Sequence, residues 1–327
     1  MRGLLFVLIF LVMAGCGEAG PEEAFYQLEG KILQSDGRAF QRVTPHVFLH
    51  GAVTPFVAQT LAGGNGKFKF KRLRMGTYTL IISVPRVGGL HRTIEVGPGF
   101  ADSKRRVLIT VQFDQNAPIE KTHGVSAVEL SVPDNARLEY QKAQDLLARN
   151  DIKSATAALQ RAVEIAPQFS TAWNHLGTIA YQSRQYVRAE ECFREALKQD
   201  PTAYWPLVNL GGALLSLDKF KESLAINLLA VRARPGDALA HSQLGQSYYY
   251  MDQLENAERY LKQAKILDPS HFSFPQLILA ELYSRKQDVP AVIRELEEFL
   301  KLHPDADLAP NVRKGLERIR AQALPSP

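Results

Sequence analysis

Cys16 and Cys192 are the only thiols in this 327-residue chain, and thiols are where chemistry would first be sought. Two cysteines cannot make a disulfide framework. Cys192 stands beside Phe193 with no histidine within a helical turn, so it reads as a packed small residue rather than a nucleophile. Asp237 and His241 stand at i, i+4, a spacing that surface pairing on a helix explains; two donors do not make a metal site. Neither HxxE nor HExxH occurs in the chain, so a zinc peptidase has no obvious ligands. No catalytic residue, metal ligand or cofactor is assigned, and the chemistry left to this chain is binding.

Binding needs a scaffold and a location. Hydrophobic residues make up 46% of the chain and charged residues 22%, which is ordinary for globular protein and argues against wholesale disorder. Arg2 is followed by an apolar run over residues 4–13, too short to span a bilayer of roughly 30 Å as a helix. That pattern reads as a secretory signal. The run closes on Met13, Ala14, Gly15 and Cys16, which resembles the bacterial lipoprotein lipobox. The resemblance implies cleavage after residue 15 and lipid on the Cys16 thiol, and each buried CH₂ of the acyl chains contributes about 0.8 kcal/mol of anchoring. An ordinary cleaved signal followed by an unrelated cysteine is the plainer alternative. Gly17 rather than Asp follows the cysteine, which by resemblance to enterobacterial sorting favours the outer membrane. Residues 1–15 are thus expected to be a signal peptide and residues 16–25 a lipid-anchored tether in an exported, bacterial cell-envelope protein.

The net charge of +5 is uneven: residues 26–113 hold 13 Lys+Arg against 4 Asp+Glu, and residues 114–327 hold 25 against 27. The basic segment alternates with period two. Phe68 and Phe70 fall on one face, and Lys67, Lys69 and Lys71 on the other. Strands are predicted over residues 26–33, 46–50, 56–61, 67–71, 78–84, 90–96 and 106–113, parted by turn residues such as Gly63, Gly64, Asn65 and Gly66. Phe68, Phe70, Leu73, Gly76, Tyr78 and Leu80, with Gly30 and Gly37 upstream, resemble the signature of carboxypeptidase-regulatory-like, transthyretin-like sandwich domains. The resemblance implies a non-catalytic accessory module. The lysine face suits an anionic surface or acidic glycan; equally, it suits a solvated strand face that discourages edge aggregation. Nucleic acid is excluded as a partner for an exported protein.

Residues 114–135 contain Pro118, Gly124 and Pro133 and read as a linker. Beyond it, Pro167, Pro201, Pro235 and Pro269 fall 34 residues apart. Counted from residues 136, 170, 204 and 238, the eighth place holds Ala143, Gly177, Gly211 and Gly245, and the twenty-seventh Ala162, Ala196, Ala230 and Ala264. The twenty-fourth holds Leu159, Phe193 and Leu261, but Asn227 in the third repeat, which is expected to weaken it. With Trp173, Leu176 and Gly177 as its clearest opening, the pattern is identified as the tetratricopeptide repeat. A fifth, looser copy starts near Ser273, one residue out of phase, with Leu279, Ala280, Tyr283, Leu296, Phe299 and Pro304 in place. The array covers residues 136–304, and residues 305–327 supply a capping helix and tail.

The fold class is therefore multidomain: a small antiparallel β-sandwich followed by an all-α tetratricopeptide solenoid reaching away from it. By resemblance, places 2, 5, 9, 12 and 13 of each repeat face a concave groove. They hold Tyr140, Asn174, Thr178, Tyr181, Trp205, Val208, Ser242, Gln246, Tyr249 and Tyr250, an aromatic and uncharged set suited to a protein or peptide partner. Some of these tyrosines are expected to pack between repeats instead. The alternative is glycan capture by the sandwich, with Phe40, Phe48 and Phe56 as exposed candidates. The expected outcome for the anchor is that Cys16→Ser moves the protein from the membrane pellet to the soluble fraction with its helical circular dichroism unchanged; retention in the pellet would place the anchor elsewhere.

Overall fold

The computed structural model describes residues 24–40, 43–52, 54–85, 87–113 and 130–323. The apolar run, Cys16 and residues 114–129 of the connection lie outside the described residues.

All seven predicted strands form: β1 (Tyr26–Leu33), β2 (His46–Gly51), β3 (Val57–Leu61), β4 (Lys67–Leu73), β5 (Gly76–Val84), β6 (Gly88–Val96) and β7 (Arg106–Gln112). They make two sheets, β4-β1-β7 and β3-β2-β5-β6. Pairing is antiparallel except between β1 and β7, which run parallel. The exception follows from connectivity, since five strands intervene and no hairpin joins the pair. Alternation sorts the residues: Phe68 and Phe70 enter the core with Leu28, Ile32, Leu49, Leu80 and Val107, while the β4 lysines stay exposed. Gly30 is demanded by that core, because a Cβ there would lie 2.1 Å from Cζ of Phe68.

The helices are α1 (Asp134–Ala148), α2 (Ile152–Ile165), α3 (Ser170–Gln182), α4 (Tyr186–Gln199), α5 (Tyr204–Ser216), α6 (Phe220–Ala233), α7 (Ala238–Tyr250), α8 (Leu254–Leu267), α9 (Pro275–Arg285), α10 (Val289–Leu302) and α11 (Ala309–Ala323). They form five successive hairpins and a cap. Each repeat proline stands two residues beyond the end of α2, α4, α6 or α8. Its ring excludes the α conformation for the residue before it. Ala166, Asp200, Arg234 and Asp268 are accordingly extended, with φ from −133° to −146° and ψ from 84° to 96°. Within hairpins the chain turns through left-handed residues Asn150, Arg184, Asp218 and Asp252, again 34 apart, and then Gln287. The phase slip of the fifth repeat has a local cause: Phe274 adopts φ 49° before Pro275, and α9 is 11 residues long where α5 and α7 have 13.

Small and large places meet across each hairpin. A Cβ on Gly177 would lie 2.5 Å from the Phe193 ring, and one on Gly245 2.7 Å from Cγ of Leu261. In the third repeat Gly211 faces Asn227, which is fully buried. Asn227 Nδ2 donates to Ser223 Oγ at 3.0 Å and Ser247 Oγ at 3.1 Å, so a hydrogen-bonded network stands where the other repeats have apolar contact. Val132 packs into the first repeat's core, and the array therefore begins inside the stretch expected to be linker. At the other end Val312 and Leu316 of α11 close the last repeat.

The array packs back against the sandwich. The β3-β2-β5-β6 sheet lies against the concave side of the helices. Thr93 N donates to Asp268 Oδ2 (3.0 Å), Gly99 N to Asp305 Oδ2 (2.7 Å) and Gln182 Nε2 to the carbonyl of Gly51 (3.0 Å). The outer face of β2, β5 and β6 carries Phe48, His50, Thr79, Ile81, His91 and Thr93, with Glu95 as its one acid, paired to His303; the rings and aliphatic groups gain by being covered. Gly177→Leu should destabilise the array by about 1–3 kcal/mol through overpacking against Phe193; an unchanged thermal midpoint would refute the contact.

Candidate partner-binding groove

Where sheet and helices do not touch, they enclose a cavity of about 1060 Å³. Its floor is the outer face of the four-stranded sheet and its walls are the first helices of the repeats, α1, α3, α5 and α7. Tyr140, Asn174, Thr178 and Trp205 line it. Tyr140 stacks on His175, with ring centroids 5.2 Å apart. Trp205 stacks on His91 of β6 at 5.3 Å and 19°. Asn209 Nδ2 donates to Asn174 Oδ1 at 3.0 Å, joining two neighbouring repeats. Asn174 Nδ2 and Asn209 Oδ1 remain as a donor and an acceptor on the groove wall. Arg234, turned off its helix by Pro235, lies over Tyr204 and Trp205 at 4.0 and 4.9 Å.

Six of the ten predicted groove residues are elsewhere. Val208 and Ser242 are fully buried and Tyr249 is 1% exposed, so none of the three presents a surface to a partner. Their places turn toward the next repeat. Val208 packs with Tyr204, Ala230 and Ala240, and Tyr249 with Leu261, Leu279 and Tyr283. Ser242 accepts from Ser273 Oγ at 2.7 Å and from Gln246 Nε2 at 3.3 Å. Tyr181 is held by Ser216 Oγ, which donates to its hydroxyl at 3.2 Å. Tyr250 is exposed but stacks on Phe220 at 4.6 Å, outside the cavity lining. Of the rings proposed for glycan, Phe40 is buried against Phe113, and Phe56 packs edge-on to Tyr78 at 5.4 Å. Lys67, Lys69 and Lys71 are exposed on β4, in the sheet that does not line the cavity, and Lys69 Nζ pairs with Glu29 at 2.6 Å. Cys192 is buried, which raises its thiol pKa and weakens it as a nucleophile.

Sequence reasoning missed His50, His91, His175 and Arg234. The available signal was the outward register of β2 and β6, rich in rings and imidazoles with Glu95 its one acid, which contrasts with the lysines of β4. Desolvation, then the nearby His175 and His91, holds His50 down to about 3; desolvation holds His175 down to about 4. Both rings are neutral at pH 7. No group of three or more His, Cys, Asp or Glu side chains among the described residues is placed to hold a metal ion, and no described helix is long and apolar enough to cross a membrane.

Family models of the tetratricopeptide repeat match residues 140–204, 180–247 and 238–271. The helical half is thus a tetratricopeptide-repeat array. BBSome complex member BBS4 of Xenopus tropicalis is 31% identical over 107 residues, 33% of this chain and 21% of that protein. Protein STIP1 homolog of Dictyostelium discoideum is 26% identical over 104 residues, 32% of this chain and 18% of that protein. The chain spans about a fifth of the length of these curated relatives. The crystal structure of PilW, described as a widely conserved type IV pilus biogenesis factor, matches with a TM-score of 0.51 at 21% identity, covering 57% of this chain and 87% of that one. That likeness is one of fold.

The histidines set a pH dependence. Their folded pKa values lie below the unfolded value of about 6.5, so the unfolded chain binds more protons in acid. Their share of stability is complete above about pH 6.5 and is lost as pH falls toward 4 for His175 and toward 3 for His50. Each proton taken up adds a slope of about 1.4 kcal/mol per pH unit. Denaturant titrations between pH 7 and 5 should show this slope, and His50→Gln with His175→Gln should flatten it; an equally steep slope in the double variant would refute the assignment.

Proposed function

We propose that this protein is a non-catalytic scaffold of the bacterial cell envelope, held at the outer membrane by lipid on Cys16, that captures a protein or peptide partner in the concave groove of its repeats. The observation that carries the proposal is the groove wall itself. Trp205 and Tyr140 offer ring surface, and Asn174 and Asn209 offer a donor and an acceptor at the spacing of neighbouring repeats. Rings give contact area at low entropic cost, and amides satisfy the backbone of an extended segment. The tetratricopeptide fold supports a polypeptide partner, and the lipobox supports the anchor.

Affinity capture with the Cys16→Ser chain as bait, followed by identification of what co-purifies, tests the proposal. Central aromatic contacts often contribute 2 kcal/mol or more, so Trp205→Ala with Asn174→Ala should weaken capture by at least tenfold while the array stays folded. Changing Lys67, Lys69 and Lys71 to Gln should leave capture intact. The opposite pattern, with capture lost only in the lysine variant, would make the basic sandwich the recognition domain for glycan or an anionic surface.

A further inference from the structure

The sandwich is fastened to the array in two chemically different ways. At the first repeats an apolar contact carries the join: β3 runs beside α1, and Val57 packs into the core that holds Val132, Leu147 and Ile179, with Gln182 Nε2 adding a hydrogen bond to the Gly51 carbonyl. At the last repeats the described contacts are polar. Asp268 accepts from Thr93 N, His303 Nδ1 meets Glu95 Oε1, and Asp305 accepts from Gly99 N. Separating an apolar contact re-exposes its surface to water, whereas the hydrogen bonds to Asp268 and Asp305 exchange for ones with water at little net loss, and the buried His303–Glu95 pair regains on exposure the hydration it gave up. One end is therefore lasting and the other exchangeable.

The segment Gly97-Pro98-Gly99 is shaped for the exchangeable end. A Cβ on Gly97 would lie 2.6 Å from Asp305 Oδ2, and one on Gly99 2.8 Å. Neither glycine is in a left-handed conformation, so the approach of Asp305 is what excludes a side chain. The acceptors also cover the open edge of β6, whose unpaired N–H groups would otherwise face solvent.

We infer that the sandwich is a hinged strap across the groove. It stays on the first two repeats and lets go of Asp268, His303 and Asp305, and this release widens the entrance to the groove. The gating role rests on the groove reading above. The opening is measured without any partner, so the two fail separately.

The test uses the full Cys16→Ser chain. A Cβ on Gly97 would lie 3.2 Å from Asp305 Cβ, close to the roughly 3.5–4.5 Å of disulfides. Gly97→Cys with Asp305→Cys should therefore crosslink on mild oxidation. Two variants open the strap: Gly99→Leu as a wedge, and Asp268→Ala with Asp305→Ala, which removes the acceptors from the array side and leaves the sandwich sequence intact. The readouts are hydrogen exchange of the Thr93 amide and acrylamide quenching of Trp205 in a Trp173→Phe background. The oxidised lock should slow Thr93 exchange at least tenfold and lower the quenching. Both opening variants should speed exchange at least tenfold and raise the quenching, with amides of the sandwich core unchanged. Failure of the cysteine pair to crosslink would overturn the closed contact. Unchanged Thr93 exchange and Trp205 quenching in the acceptor variant would overturn the hinge, and so would faster exchange throughout the sandwich core.

Discussion

A proline cannot donate to a helix, and its ring forbids the α conformation to the residue before it. In this chain that constraint recurs every 34 residues and organises more than the helix ends. Ala166, Asp200, Arg234 and Asp268 leave their helices in the same extended geometry, and His303 before Pro304 repeats it with φ −131° and ψ 56°. Their side chains are thereby carried off the helix axis to the rim of the concave side. Arg234 comes to lie on Tyr204 and Trp205, Asp268 reaches the edge of β6, and His303 reaches Glu95. Two of the residues that end repeats, Asp268 and His303, therefore meet the sandwich directly.

The sandwich is suited to that meeting by its two unlike outer faces. The face of β4 is basic and solvated. The face of β2, β5 and β6 offers rings, hydroxyls and imidazoles, and is covered by the array. Burying it costs no unpaired charge, so modest contacts suffice to hold it. Burying the β4 face instead would strand Lys67 and Lys71, which have no carboxylate partner among the described residues.

Much of this was legible in the sequence because it is periodic. Period two fixed which faces of the strands enter the core, and the 34-residue spacing fixed the helix register, the small places at Gly177 and Gly245 and the bulky places opposite them. What periodicity does not carry is the relation between domains. Trp205 meets His91 across 113 intervening positions, a contact no local pattern encodes. The groove was read only in part for a related reason. The family register assigns places to a face, but whether a place is open or covered depends on the neighbouring repeat. Val208 and Tyr249 are covered because the next hairpin stacks on them, and Asn174 stays at the groove because Asn209 reaches back to it. Asn227 was read as a defect because an apolar place held an amide. The serines that satisfy it, Ser223 and Ser247, lie on different helices.

The neutrality of the cavity follows from the same closure. With the sheet in place, His50 and His175 are desolvated and shed their protons rather than carry charge away from water. The nearby carboxylates are already engaged: Asp237 caps α7 by accepting from Ala240 N, and Asp268 holds Thr93. The desolvation cost that keeps the imidazoles neutral falls equally on anything that enters. A segment seated between Tyr140 and Trp205 is favoured if it brings rings, amides or aliphatic groups and keeps its charges near Arg92 and Arg234, the cations among the described lining residues. Closure by the sandwich thus sets the chemistry of the groove, because the surface that covers its walls is also the one that strips water from them.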